Sequence, residues 1–314
     1  MQARLLRRAA MVGALTAALL GACGDDEDTP SAGGSDTTTS TAAAEGGGDN
    51  ELQIEMVDYG YKVSGTLKAG LATITSTNTG DEWHMAGMAK LKDGATVDQL
   101  VDALKSSSPD SEEDPTEPFI EEQVDSPGHI LQPGATQSLT VDVLTPGKYV
   151  LLCFIPSEGD GAPHFAKGMV SGFEVEEGES GAEEPASDAA IVLPDDAEPT
   201  GVPTDLEAGE HTFKVTSSGA KGKDFIVAQL KDGEDFDSFD TYFESFEKEG
   251  GPPKGFAKEA PGTIAGSTFE VNAGQTIWIT VDVPKGDVYF VNTTNSDEED
   301  SDTNSDKFVK VNVR

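Results

Sequence analysis

Four side chains in one half of the sequence are of the types that bind transition metals. His84 stands alone upstream, and Cys153, His164 and Met169 follow in that order within a short stretch. Thiolate, imidazole and thioether groups are ligands of soft and borderline metal ions. His84 is distant in sequence from the other three, so only a folded domain can bring the four together.

The elements that would position them belong to a unit that occurs twice after residue 50. The short motif at Leu91–Gly94 recurs at Leu230–Gly233, and the motif at Thr140–Val143 recurs at Thr280–Val283. The two pairs have nearly the same offset. Agreement over this much chain is the sign of an internal repeat.

Each copy has mostly the pattern of short β-strands. Apolar and polar residues alternate in Ser138–Val143 and Thr276–Val281, while Tyr149–Phe154 and Val288–Val291 are continuously apolar. Such strands, separated by Gly and Pro turns, predict an all-β chain of two β-sandwiches in tandem.

One short helical insertion is predicted in each copy. In the first, apolar residues spaced to share one helix face follow Thr96, a suitable N-cap. In the second, three phenylalanines occupy the corresponding region and are interpreted as core. The apolar residues of the two insertions are Val97, Leu100, Val101 and Leu104 in the first copy and Phe236, Phe239 and Phe243 in the second.

The order of one histidine, then cysteine, histidine and methionine near the end of the domain resembles the type 1 copper site of cupredoxins, which include plastocyanin, azurin and the halocyanin-like proteins. The resemblance implies Greek-key sandwiches in both copies. It also implies one copper ion and one-electron transfer, with His164 as the solvent-side exit for the electron. It covers Leu52–Val175 with ligands and Ile191–Val313 in fold only. The implied ligands are His84, Cys153, His164 and Met169.

Two features of the copper prediction leave an alternative open. Ten residues separate Cys153 from His164, more than in most of the family. If Cys23 is lipidated, Cys153 has no disulfide partner in the chain, which fits metal ligation but also an inert buried thiol. The alternative is a metal-free cupredoxin-fold envelope lipoprotein that acts as a binding or interaction module.

The second copy has lost the metal-binding residue types. Lys223 falls at the position of His84, and Asn292 falls at the position of Cys153. The second domain is therefore predicted to bind no copper.

Enzymes built from cupredoxin-like domains need more histidines than this chain has. Multicopper oxidases and copper nitrite reductases use His-x-His pairs or a histidine beside the copper cysteine, whereas Leu152 precedes Cys153 here. His129 and His211 are interpreted as solvated surface residues. The sequence therefore predicts a protein that is not an enzyme.

The N-terminus resembles a lipoprotein signal peptide. A basic start precedes the apolar run Ala9–Leu20, which is too short to span a bilayer, and Leu20–Cys23 resembles a lipobox. Residues 1–22 are predicted to be removed and Cys23 to carry the lipid anchor. Residues 23–50, poor in large apolar side chains, are predicted to be a disordered acidic stalk. The expected location is the outer face of a bacterial cell membrane.

Net charge restricts the partners. The chain has 21 basic and 58 acidic residues, for a net charge of −37. Such a charge repels phosphate backbones, so no nucleic acid is expected. A redox partner should offer a basic docking face, and a monomer is expected.

The acidic residues also help to divide the chain. The predicted domains are 51–176 and 190–314, joined by an acidic linker at 177–189, with a solvated insertion at Pro109–Pro127. Asp300–Asn304 resembles the opening of a calcium loop, but Ser305 stands where that loop needs glycine.

Overall fold

The fold is taken from a computed structural model, which describes residues 50–107, 114–121, 128–178, 180–220, 222–236, 238, 242, 255–294 and 307–314. The predicted signal peptide, nearly all of the stalk, the lipidation residue Cys23 and the acidic run Asp300–Asn304 lie outside these residues. So do Phe239 and Phe243 of the second predicted helix. Within the described residues, no helix has the length and apolar character needed to cross a membrane.

The chain is all-β, as predicted, apart from one α-helix and two 3-10 helices among the described residues. The sixteen strands in chain order are β1 (Glu51–Val57), β2 (Gly60–Gly65), β3 (Leu67–Lys68), β4 (Gly70–Asn78), β5 (His84–Lys90), β6 (His129–Leu131), β7 (Thr136–Leu144), β8 (Gly147–Leu152), β9 (Val170–Glu176), β10 (Ala189–Leu193), β11 (Gly209–Ser217), β12 (Lys223–Leu230), β13 (Gly262–Val271), β14 (Thr276–Val283), β15 (Gly286–Thr294) and β16 (Lys307–Val313).

Three sheets form the two sandwiches. Strands β3-β9-β8-β5-β6 make the second sheet of the first domain, and β13-β12-β15-β16 make that of the second domain. The third sheet, β10-β11-β14-β7-β4-β1-β2, runs through both domains. The alternation predicted at Ser138–Val143 and Thr276–Val281 lies in β7 and β14, the two strands that join the halves.

The two copies meet about a local two-fold axis. Strands β7 and β14, which occupy corresponding positions in the repeat, pair antiparallel, and Leu139 lies opposite Ile279, its own counterpart. Strands β6 and β13 also meet antiparallel, where the Phe269 amide donates to the Gly128 carbonyl at 2.8 Å. The repeats are therefore joined edge to edge, which removes two sheet edges from solvent.

The predicted first helix is confirmed as α1 (Val97–Ser106), with Leu100, Val101 and Leu104 buried. Thr96 caps it: its side chain accepts from the Gln99 amide, and the Gln99 side chain accepts from the Thr96 amide. This reciprocal pair satisfies two donors that the first turn leaves without helical partners. In the second copy, Phe236 and Tyr242 have helical backbone.

The predicted insertion and linker are more ordered than their acidity suggested. Ile120 is buried and bridges to Leu91, and the Asp114 carboxylate accepts from the Thr116 amide and hydroxyl, both at 2.8 Å. In the linker, the Ser180 amide donates to the Ala69 carbonyl at 3.0 Å. The prediction of a solvated insertion at Pro109–Pro127 is therefore wrong for residues 114–121, because Ile120 lies in the core and Phe119 packs against it.

Candidate metal centre

Three buried donor atoms from distant parts of the first domain converge at one end of its second sheet. His84 is the first residue of β5, Cys153 directly follows β8, and His164 begins the 3-10 helix His164–Lys167. The Nδ1 atoms of His84 and His164 are 3.1 Å apart, and Cys153 Sγ is 3.4 Å from His164 Nδ1. Since one ligand atom from each residue lies within 4.8 Å of the others, this group is able to hold a metal ion.

Strand pairing brings His84 to Cys153. Strands β5 and β8 are antiparallel neighbours with Gly87 opposite Leu152, so the start of β5 and the end of β8 lie at the same end of the sheet. The Met85 amide points at the thiol, 3.3 Å from Cys153 Sγ. The apolar run Tyr149–Phe154 was predicted to be one strand, but β8 ends at Leu152, which leaves Cys153 just beyond the strand terminus.

The long loop between Cys153 and His164 folds back on itself. Pro156 and Pro163 form an isolated antiparallel bridge, and the Phe165 amide donates to the Cys153 carbonyl at 2.8 Å. The ten intervening residues are therefore taken up by a hairpin-like turn. His164 returns to the cysteine despite the unusual spacing.

The backbone of Met169 forms hydrogen bonds with the backbones of Cys153 and His164. It is fully buried, its amide donates to the His164 carbonyl at 2.9 Å, and its carbonyl accepts from the Cys153 amide at 3.4 Å. Gly168, with φ of 113°, turns the chain between the 3-10 helix and β9. This left-handed conformation favours glycine over residues that carry a Cβ.

Each histidine is held by a carboxylate through its other ring nitrogen. His84 Nε2 lies 2.8 Å from Asp58 Oδ1, and His164 Nε2 lies 3.0 Å from Glu82 Oε2. A carboxylate accepts hydrogen bonds, so each Nε2 carries a proton and each Nδ1 is left to face the thiol.

The charges of the group are mutually dependent. Burial raises the pKa of the Cys153 thiol, but His164 and His84 outweigh it and lower this pKa to about 6. Burial lowers the pKa of His164, but Cys153 and Glu82 outweigh it and raise this pKa to about 9. Burial likewise raises the pKa of Glu82, but hydrogen bonds from His164, Tyr59 and the Glu158 amide outweigh it and lower this pKa to about 2.

This arrangement favours a cation between the two imidazoles. With both Nε2 atoms protonated toward carboxylates, the Nδ1 lone pairs of His84 and His164 would face each other at 3.1 Å. A proton or a metal ion bound there removes the repulsion. One thiolate and two imidazoles, with a buried thioether residue adjacent, are a donor set that suits copper.

Two interpretations of histidines are corrected by burial. His164 is 0% exposed, so it is not the predicted solvent-side exit, because Glu82 and the edge of the Tyr59 ring lie over it. His129 is 0% exposed, and neither ring nitrogen has a hydrogen-bond partner among the described residues. It was predicted to be a surface residue, but the junction of β6 with β13 buries it. His211 is partly exposed and bonds Asp188 at 3.1 Å.

The second domain places different chemistry at the equivalent positions. Lys223, the first residue of β12, is fully buried, and its Nζ lies 2.6 Å from Asp195 Oδ1. The Asn292 side-chain amide donates to the Pro194 and Ala197 carbonyls at 2.8 and 2.9 Å. In the part of the chain that the structure describes, the first-domain group is the single cluster of at least three potential His, Cys, Asp or Glu ligands.

The second domain also contacts the edge of the metal centre. Trp83, directly before His84, donates its indole N–H to the Tyr242 hydroxyl at 2.9 Å. Glu158, in the loop between Cys153 and His164, accepts from the Ala257 amide at 2.8 Å and also from the Gly255 amide. Residues of the second domain therefore brace both the strand and the loop that carry ligand histidines.

Asp58, Tyr59 and Glu82 are functional candidates that the sequence interpretation missed. One signal was present: Asp58 has a counterpart in Asp195, since the two residues closely follow β1 and β10, the first strands of the two repeats. Glu82 lacked such a signal, since an acidic residue two positions before a histidine is unremarkable in so acidic a chain.

No protein-family model and no curated protein sequence matches the chain, whereas solved structures resemble it at low sequence identity. A reduced auracyanin from Roseiflexus castenholzii is 22% identical, with 42% of this chain and 100% of that chain covered and a TM-score of 0.27. A multicopper oxidase is 16% identical (83% and 88% covered, TM-score 0.24), and a copper-containing nitrite reductase from Thermus scotoductus is 14% identical (84% and 61% covered, TM-score 0.24).

These similarities correct one expectation. The histidine count predicted that the protein is not an enzyme, but a multicopper oxidase and a copper-containing nitrite reductase are among the structures that resemble this chain over most of its length. The sequence-based exclusion of enzymes therefore does not stand. At these identities the likeness describes the fold alone.

Proposed function

We propose that this protein binds one copper ion in its first domain and passes single electrons between a donor and an acceptor protein. His84, Cys153, His164 and Met169 would hold the ion. Bound copper supplies the chemistry by alternating between its two common oxidation states with the same ligands. The observation that carries the proposal is the convergence of a buried thiol and two buried imidazoles, the thiol with a pKa lowered to about 6.

The surroundings of the site are suited to this role. Cys153, His84 and His164 are all 0% exposed, so solvent is kept from the donor atoms. Both imidazoles are oriented by carboxylates, and the second domain braces the strand and the loop that carry the ligand histidines, which limits ligand rearrangement when the charge at the site changes.

We further propose that a lipid on Cys23 anchors the chain to the outer face of a bacterial cell membrane, with residues 23–50 as a stalk. The acidic groups at the metal-centre end, including the exposed Asp58 and Asp81 and the partly exposed Glu158, favour a redox partner with a basic docking face. Labelling with a radioactive fatty acid tests the anchor: the wild type should be labelled and Cys23→Ser should not.

The copper proposal predicts an intense visible band. Adding Cu(II) to the purified metal-free protein should produce thiolate-to-copper charge transfer, and Cys153→Ser should abolish it. Met56→Leu, at a buried methionine of the same domain, is the control for Met169→Leu; the first should leave the band unchanged, and the second should shift it.

A wild type that shows neither bound metal nor a visible band contradicts the copper proposal. That outcome would favour the metal-free binding module, with Cys153 as an inert buried thiol.

A further inference from the structure

Both ligand histidines of the proposed copper site are bonded to carboxylates, and neither carboxylate was assigned a role by the ligand set. Asp58 Oδ1 lies 2.8 Å from His84 Nε2, and Glu82 Oε2 lies 3.0 Å from His164 Nε2. Both imidazoles are fully buried, so water does not compete for these ring nitrogens. The same contact thus occurs twice in one site.

Glu82 is fixed in place by other donors. The Tyr59 hydroxyl donates to Oε1 at 2.6 Å, and the Glu158 amide donates to Oε2 at 2.8 Å. Glu158 belongs to the loop between Cys153 and His164, and its own carboxylate accepts from the Ala257 amide of the second domain. Hydrogen bonds from Tyr59 and from the Glu158 amide thus orient the Glu82 carboxylate that accepts from His164.

Asp58 is fixed by the segment that leads into β5. The Asp81 amide lies 3.1 Å from both carboxylate oxygens of Asp58. The Gly80 backbone lies so close that a Cβ added there would be 2.3 Å from Asp58 Oδ1 and 2.5 Å from His84 Nε2. A residue with a side chain would displace this contact, which accounts for glycine at this position.

We propose that Asp58 and Glu82 are positioning residues that set the balance between the two oxidation states of the copper. Each takes a hydrogen bond from Nε2, which fixes the tautomer that offers Nδ1 to the metal. Each also places a negative charge behind an imidazole, which makes the ligand a better donor and favours the ion of higher charge. The pair therefore stabilises Cu(II) relative to Cu(I) and lowers the reduction potential. This inference rests on the proposed copper function.

The test is a redox titration of the copper-loaded protein. Glu82→Gln and Asp58→Asn retain size and an accepting oxygen but remove the charge. Each should weaken Cu(II) binding about tenfold relative to Cu(I) binding. For a one-electron couple, that is a rise in reduction potential of about 59 mV.

Asp81→Asn is the matched control. It removes the same charge from the residue next to Glu82, but in the described part of the chain the Asp81 carboxylate, unlike those of Asp58 and Glu82, makes no hydrogen bond to a ligand histidine, and solvent and salt screen it. The potential of this variant should stay close to that of the wild type.

Tyr59→Phe should shift the reduction potential in the direction opposite to that of Glu82→Gln. It removes the hydroxyl that donates to Glu82, which leaves more negative charge facing His164, so the potential should fall. Repacking alone gives no reason for this variant and Glu82→Gln to shift the potential in opposite directions. This variant also keeps the proposal testable if the carboxylate variants fail to fold.

The outcomes separate this inference from the function on which it rests. Wild-type protein that binds no copper overturns the proposed function and the inference together. Normal copper binding, with the potentials of Glu82→Gln and Asp58→Asn equal to that of Asp81→Asn, overturns only the role of the two carboxylates. Potentials that rise in both variants and fall in Tyr59→Phe support it.

Discussion

In both domains a carboxylate lies beside a buried side-chain nitrogen at the start of a strand, but the nitrogen belongs to a different residue type in each. In the first, the Asp58 carboxylate faces the His84 imidazole at the start of β5; in the second, the Asp195 carboxylate faces the Lys223 ammonium at the start of β12. A glycine, Gly80 or Gly219, packs against each pair. A carboxylate beside a buried nitrogen is therefore common to both repeats. Under the proposed function, metal binding depends on whether that nitrogen belongs to an imidazole or to an ammonium group.

In the second domain, the Lys223 ammonium pairs directly with the Asp195 carboxylate, so no metal ion is needed at that position. An ammonium group carries its own charge to the carboxylate, whereas an imidazole presents a second nitrogen that a proton or metal can occupy. At the cysteine position, Asn292 instead bonds the carbonyls of Pro194 and Ala197. The repeat thus retains its fold where the ligands have been replaced by an ion pair and an amide.

The largest expected effect comes from making the first domain resemble the second. His84→Lys should abolish copper binding. It should change the free energy of unfolding of the metal-free protein by less than about 1 kcal/mol, because Asp58 pairs with the new ammonium group at a roughly balanced cost. Copper titration and urea unfolding measure the two effects.

His129→Lys is the matched control. It makes the same substitution at a fully buried histidine whose ring nitrogens have no hydrogen-bond partner in the described part of the chain. It should destabilise the protein by about 3–5 kcal/mol, because the ammonium is buried without a carboxylate. Equal destabilisation by both variants would show that Asp58 does not act as Asp195 does.

A smaller effect is expected from neutralising the acid in each pair of the metal-free protein. Asp195→Asn leaves the buried Lys223 ammonium without this carboxylate and should cost about 2–3 kcal/mol, less than for a wholly buried pair because Asp195 is 44% exposed. Asp58→Asn should cost under about 1 kcal/mol, since the asparagine side-chain oxygen can still accept the hydrogen bond from His84 Nε2. The comparison would fail if urea unfolding gave equal costs.

Much of the fold could be predicted because its signals are local and periodic. The repeat, the alternation in β7 and β14 and the capping of α1 by Thr96 all follow from spacing along the chain. The joining of β7 to β14 could not be predicted, because a strand that pairs inside one domain has the same alternation as one that pairs across two. The burial of His129 follows from the second contact between the repeats, that of β6 with β13, which could not be predicted for the same reason.

The site was partly predictable for a similar reason. The order of His84, Cys153 and His164 is visible in the sequence, and the structure brings their donor atoms together. The roles of Asp58 and Glu82 depend on contacts across the fold, and in an acidic chain single carboxylates carry little signal. The burial of His164 likewise depends on Tyr59 and Glu82, which lie far from it in sequence.

The contrast between the domains is tested most directly by the number of copper ions bound per chain. Equilibrium dialysis of the purified protein against Cu(I) and Cu(II), followed by metal analysis, should give one tightly bound ion in the wild type and none in Cys153→Ser. Two ions would contradict the assignment of the second domain as metal-free. No ion in the wild type, or one retained without the thiol of Cys153, would contradict the copper centre itself.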